Sequence, residues 1–115
     1  MQKFLVLYKT PVAVLDAWME TNAETREVEQ EKMKTEWDTW LEAHKAQLSE
    51  TFGAGRTKQI ATEGVSDIRN DIMLYTTVEA ESHEAAAQLF VGHPHLKIPQ
   101  STIEVMTINS LPGMS

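Results

Sequence analysis

Along the first ten residues the apolar positions fall on both sides of an extended chain. Phe4, Val6 and Tyr8 share one side, and Leu5 and Leu7 the other. A strand over Lys3–Lys9 with two apolar faces belongs in the middle of a sheet. Thr10-Pro11 follows as a helix start, proline being suited to the first helical position. Thr21 and Glu24 have capping-box spacing, which predicts a break and restart of the helix there. From about Glu24 to Glu50 a single stripe recurs at helical spacing through Met33, Trp37, Trp40, Leu41, His44 and Leu48. Glu27, Glu31, Lys34, Asp38, Glu42 and Lys45 form the opposite, solvated face. Phe52-Gly53-Ala54-Gly55 is read as the end of this helix.

The second half repeats the plan with different weights. Arg56–Val65 is polar apart from Ile60, Ala61 and Val65, the signature of an edge strand. Ser66–Asn70 carries turn chemistry. Asp71–Glu79 is again apolar on both faces, hence central. Ser82 caps a short helix through Ala85, Ala86, Leu89 and Phe90, and Gly92 stops it. Gly92-His93-Pro94-His95 leads to a last strand over Ser101–Asn109, and Leu111–Ser115 is expected to be loose or draped over a neighbour. The order β-α-β-β-α-β predicts an α+β, ferredoxin-like fold: a four-stranded antiparallel sheet with helices on one face. Its first and third strands are central, in agreement with their burial patterns. Right-handed crossovers place both helices on one face. The apolar residues of the other face then need a cover, and a second copy of the chain is the simplest one, giving a homodimer through the sheet face of the dimeric α+β barrel type.

Composition narrows the functional classes. The 115 residues fit a single domain over 1–115. A net charge of −7 argues against nucleic acid or an anionic membrane as partner. The absence of cysteine excludes disulfides, thiolate catalysis and cysteine-held metal clusters. The longest apolar run, Phe4–Tyr8, is too short for a signal peptide or a membrane span. The expectation is a cytoplasmic protein without a cofactor. No phosphate loop, dinucleotide fingerprint or serine elbow is present.

Several short segments resemble the YCII-related superfamily and its DGPF subgroup. They are Ile72-Met73-Leu74-Tyr75, Glu81-Ser82-His83-Glu84-Ala85, Pro94-His95-Leu96, Ile103-Glu104-Val105 and the opening Phe4–Tyr8. The resemblance implies a dimeric ferredoxin-like protein with a pocket between sheet and helices. The superfamily's presumed functional pair is a histidine on the first helix and an aspartate that opens an Asp-Pro-aromatic motif. Here His93 stands at the aspartate position, and the helix position falls at Trp40 or His44. Ser66-Asp67-Ile68-Arg69 stands where the DGPF motif would be. The His–Asp dyad is therefore not carried over.

The candidate chemistry lies in the histidines. His93 and His95 flank a proline that enforces extended backbone, and they are the candidate proton-transfer residues. The fold brings the turn before the third strand to the same rim, so Asp67, Arg69 and Asp71 are expected beside them. A neighbouring carboxylate would raise an imidazole's pKa, and a two-histidine-plus-carboxylate metal set is conceivable on that rim, although no metal is assigned. Trp37, Trp40, His44, Tyr8, Asp67 and Asp71 are the expected pocket residues. The bland alternatives are a polar loop capping a helix, a core histidine at His44, and tryptophans that are simply core or dimer interface. His83 is expected to be exposed and inert. Two readings follow. One is a small-molecule pocket between sheet and long helix, with histidine-mediated proton transfer on a small aromatic or carbonyl compound. The other is a non-catalytic ligand-binding or protein-interaction module; the residues leave open whether the protein is an enzyme.

Overall fold

The computed structural model describes residues 1–112. Its elements are β1 (Gln2–Lys9), α1 (Val12–Met19), α2 (Ala23–His44), β2 (Phe52–Gly53), β3 (Thr57–Ala61), β4 (Gly64–Ile68), β5 (Ile72–Ala80), α3 (His83–Gln88) and β6 (Thr102–Thr107), with a 3-10 turn at Pro94–Lys97. Strands β2, β5, β1 and β6, in that order, form an antiparallel sheet. The two strands with doubly apolar patterns are thus the central ones, and the α+β ferredoxin-like arrangement holds.

Register decides which residues meet the helices. Phe4 pairs with Val78 and Thr107, Val6 with Thr76 and Val105, and Tyr8 with Leu74 and Ile103. With a side-chain period of two, each row points to one face. That face joins Trp40, Ala86 and Phe90 in the core. Thr76, the buried hydroxyl among these rows, donates to the carbonyls of Ser49 and Glu50 and so ties the chain after α2 to β5. The opposite face carries Leu5, Leu7, Tyr75, Phe52 and Met106. Phe52 stacks on Tyr75 at 5.6 Å, and both stay exposed.

Four sequence expectations are corrected. The long helix ends at His44 rather than near Glu50, so Leu48 bridges Val78 instead of continuing the helical stripe, and Phe52-Gly53 is strand rather than a helix stop. The edge strand is not Arg56–Val65 but the two-residue β2. The chain from Gln47 to Ala54 runs along β5 through bonds such as Ser49 N–H to the Thr77 carbonyl and Ala54 N–H to the Met73 carbonyl. Those backbone bonds do not depend on an alternating side-chain pattern, so the sequence carried no signal for them. Residues 57–68 instead form a separate hairpin, and Ser66–Ile68 is strand rather than turn. The turn proper comes at Asn70, whose side chain accepts from Ile72 N–H. The helix break is present, but Asn22 caps α2 by accepting from Thr25 N–H, while Thr21 donates to the Trp18 carbonyl. Of the expected loose tail, Gly113–Ser115 lies outside the described residues.

The protomer is extended. Its radius of gyration is 16.4 Å, against about 13 Å for a compact chain of this length. It exposes 8279 Å², where a compact monomer of this mass exposes about 6,300 Å². The first half of α2 and the β3–β4 hairpin are largely exposed, and α1 and the outer sheet face are no more than half-buried. No helix among the described residues is long and apolar enough to cross a membrane.

Trp40 is the buried residue of α2. It packs on Phe90 at 5.2 Å and on His93 and His44 at 4.3 Å each. Trp40→Ala is expected to cost about 3–5 kcal/mol through the cavity it leaves. Urea denaturation measures this, and a loss under about 1 kcal/mol would mean that α2 is held by something else.

Candidate functional site

The glycine-stopped turn after α3 positions the site. Gly92, at φ 79°, ends the α3 turn in a conformation that a residue with a Cβ rarely adopts. Pro94 then starts the 3-10 turn, in which His93 serves as the cap. The His93 Nδ1 atom accepts the His95 backbone N–H at 2.9 Å. This bond turns both imidazoles inward, and His93 and His95 are 1% and 2% exposed.

Around them the sheet and α2 close an aromatic box. The Tyr8 ring lies 5.3 Å from His93 and 5.5 Å from His95. Trp37 stands edge-on to His93 at 4.5 Å, and Trp40 lies on its other flank. Phe90 touches Tyr8, Trp40 and His93. Phe90 was missed as a site residue in the sequence reading, although its spacing of three from His93 on one helical turn is a readable signal. The structure therefore brings together Tyr8, Trp37, Trp40, His93 and His95. His44 joins at the edge, stacked on Trp40, with Nδ1 donating to the Trp40 carbonyl at 2.8 Å.

The two aspartates do not join. Asp67 sits on the exposed hairpin and pairs with Lys58 at 2.7 Å, because β4 runs past the expected turn and carries it away. Asp71 holds Thr10 N–H through its carbonyl, but its carboxylate faces Lys9 Nζ at 3.5 Å. Arg69 is spent on a bidentate pair with Asp16. Among the described residues no carboxylate meets the two imidazoles and no group of three metal-ligating side chains occurs, so the two-histidine-plus-carboxylate set is not formed there. His83 is exposed as expected but not idle, since it stacks on Phe4 and donates to the Val105 carbonyl at 2.8 Å.

The electrostatics follow from burial. Without a carboxylate, desolvation dominates and lowers the His93 pKa to about 4, with His95 and His44 adding to the effect. His95 is lowered too, chiefly by burial, against backbone hydrogen bonds to Lys9 and Thr102. Burial pushes the Tyr8 phenol up. The expected upward shift at the histidines is thus reversed, and both are neutral at pH 7.

Hydrogen-bond roles then settle the tautomers. Neutral His93 accepts at Nδ1, so its proton is on Nε2. His95 donates from Nε2 to the Lys9 carbonyl at 3.0 Å, which commits it to holding the loop on β1. The His93 Nε2–H and the Tyr8 hydroxyl are both buried without a polar partner among the described residues. What surrounds them is aromatic, and a π face is a weaker acceptor than an oxygen. Two shallow grooves flank the box. One, of about 440 Å³, is lined by Leu41, Lys45, Leu48, Ser49, Glu50 and Thr51. The other, of about 260 Å³, reaches the box through Phe90.

The lowered His93 pKa has a stability consequence. Above about pH 6.5 both folded and unfolded chains hold the ring neutral. Below it the unfolded chain takes up a proton that the folded chain refuses until about pH 4. This contribution to stability is therefore full above pH 6.5 and is lost as pH falls toward 4, on the order of 3 kcal/mol in total. His93→Asn keeps an acceptor for His95 N–H and should flatten that part of a urea-denaturation profile against pH. An unchanged slope would contradict the assignment.

No family model matches the chain, and no curated protein is significantly similar to it. Among solved structures, it is similar to the 5-chloro-2-hydroxyhydroquinone dehydrochlorinase of Burkholderia phenoliruptrix, in complex with 2,5-dihydroxybenzoquinone. The identity is 17%, the match covers 90% of this chain and 91% of that one, and the TM-score is 0.45.

Proposed function

We propose that the protein is a small-molecule-binding homodimer whose ligand site is the box formed by Tyr8, Trp37, Trp40 and His93. One observation carries the reading: the rings of Tyr8 and His93 lie 5.3 Å apart, and the Tyr8 hydroxyl and His93 Nε2 are both buried with no partner among the described residues. Each such group costs about 1–3 kcal/mol of desolvation without return. A ligand oxygen set between them would recover that cost. Both groups are hydrogen-bond donors at neutral pH, and aromatic rings wall the site, so the fitting ligand is a small hydroxylated ring or carbonyl compound.

The chemistry available to such a pair is donation rather than proton removal. A neutral imidazole and a phenol aimed at one carbonyl oxygen stabilise negative charge developing there. His95 has no part in this beyond fixing the loop. The half-buried His44, with Nδ1 committed to Trp40, keeps its Nε2 lone pair and is the nearer candidate for accepting a proton. The groove that includes Phe90 is the candidate entry. The likeness to YCII-related proteins supports the same pocket between sheet and helix. The dimer forms through the outer sheet face, where Leu5, Leu7, Tyr75, Phe52 and Met106 lack a cover. A non-catalytic interaction module is the second reading, favoured by the close packing of both histidines in the box.

Tyr8→Phe separates these readings, because it removes the orphaned hydroxyl and little else. It is expected to raise the stability of the free protein by about 1 kcal/mol. It should also abolish the thermal shift that hydroquinone, 4-hydroxybenzaldehyde or a cyclic diketone gives the wild type. A destabilised Tyr8→Phe variant would mean that the hydroxyl already has a partner. Absence of any shift in the wild type would leave the interaction module as the reading.

A further inference from the structure

The β3–β4 hairpin has no part in the site, and its pattern is unusual. Its backbone pairs are Thr57 with Ile68, Lys58 with Asp67, Gln59 with Ser66, Ile60 with Val65 and Ala61 with Gly64. Alternation puts Ile60 and Val65 directly opposite each other on one face, beside the Lys58–Asp67 ion pair. The other face carries Thr57, Gln59, Ala61, Gly64 and Ser66, with Ile68 its one bulky apolar residue, at the base. Ile60 is 78% exposed and Val65 66%. Only Thr57 and Ile68 at the base are half-buried. A two-stranded hairpin standing free in water is marginal in stability. This one spends β-branched residues on a face that nothing in its own protomer touches.

We infer that the β3–β4 hairpin is an arm whose Ile60–Val65 face closes on a second copy of the chain. The inference rests on the dimer reading above and adds to it a named gripping element outside the sheet face. The exposed area supports a second copy as the occupant. The protomer shows 8279 Å², about 2,000 Å² more than a compact monomer of its mass. A standard interface takes about 800 Å² from each partner. One sheet face therefore leaves excess surface over, and the exposed hairpin residues 58–67 belong to what remains. The charges agree: residues 56–69 carry Arg56, Lys58 and Arg69 against Glu63 and Asp67, in a chain of net charge −7. A slightly basic arm is not repelled by an acidic second copy. The arm also springs directly from β2, whose Phe52 lies on the outer face.

The test compares the two faces of the same hairpin by analytical ultracentrifugation of the full chain. Ile60→Glu with Val65→Glu is expected to raise the dimer dissociation constant by more than about tenfold. Gln59→Glu with Ser66→Glu, the same charge change on the opposite face, should alter it less than about threefold. Neither pair touches the core, so circular dichroism should be unchanged in both. In the wild type, amide exchange at Ile60–Val65 should slow as protein concentration rises. If the wild type dimerises and the two double variants behave alike, the arm is wrong and the dimer stands. If the wild type is monomeric at micromolar concentration, both fail together.

Discussion

The attachment of α2 to the sheet depends on two indole rings. This helix is 22 residues long, and Trp40 is its buried residue, with Trp37 half-buried beside it. The rings do not rest on aliphatic side chains alone. They rest on Tyr8 from β1, Phe90 from the end of α3, and the two imidazoles of the 3-10 turn. The Lys97–Glu36 ion pair adds an exposed clasp on the rim, the kind of surface pair that contributes little by itself. The same aromatic stack that fastens the helix thus forms the candidate site. Anything that opens the site loosens the helix, and binding and local stability are coupled through one set of contacts.

That coupling explains why the polar atoms in the box are costly and still present. A core meant only to hold a helix would place phenylalanine and leucine at these positions, with no desolvation cost. Here a phenol and an imidazole are buried instead, each short of one partner. Buried polar groups without partners are rare in native cores, and they concentrate where function requires them. The backbone bond from His95 to His93 Nδ1 selects the tautomer, burial selects the neutral form, and together they leave a donor facing the box.

Much of the fold was legible in the chain, for a physical reason. Strands apolar on two faces announce themselves by composition, as Phe4–Tyr8 and Ile72–Val78 do, and the Trp37–Trp40–Leu41–His44 stripe marks one helix face. The edge was illegible, because β2 is joined to β5 by backbone bonds that any sequence can make. Taking Arg56–Val65 for that edge moved Asp67 to the wrong place, and with it the expected carboxylate. The inward turn of His93 and His95 was partly legible from Pro94 between them. Their electrostatics were not, since the direction of a pKa shift depends on which neighbours arrive. The sequence alone promised a carboxylate where the fold supplies indoles.

The central claim is that His93 is a buried, neutral donor with its proton on Nε2. Nitrogen-15 NMR of the histidine side chains across a pH titration tests it most directly, because the two ring nitrogens report tautomer and protonation separately. His93 is expected to keep a protonated Nε2 and an unprotonated Nδ1 at neutral pH, with no change until the pH falls to about 4. A midpoint near the ordinary histidine value of about 6.5, or a proton on Nδ1, would contradict it.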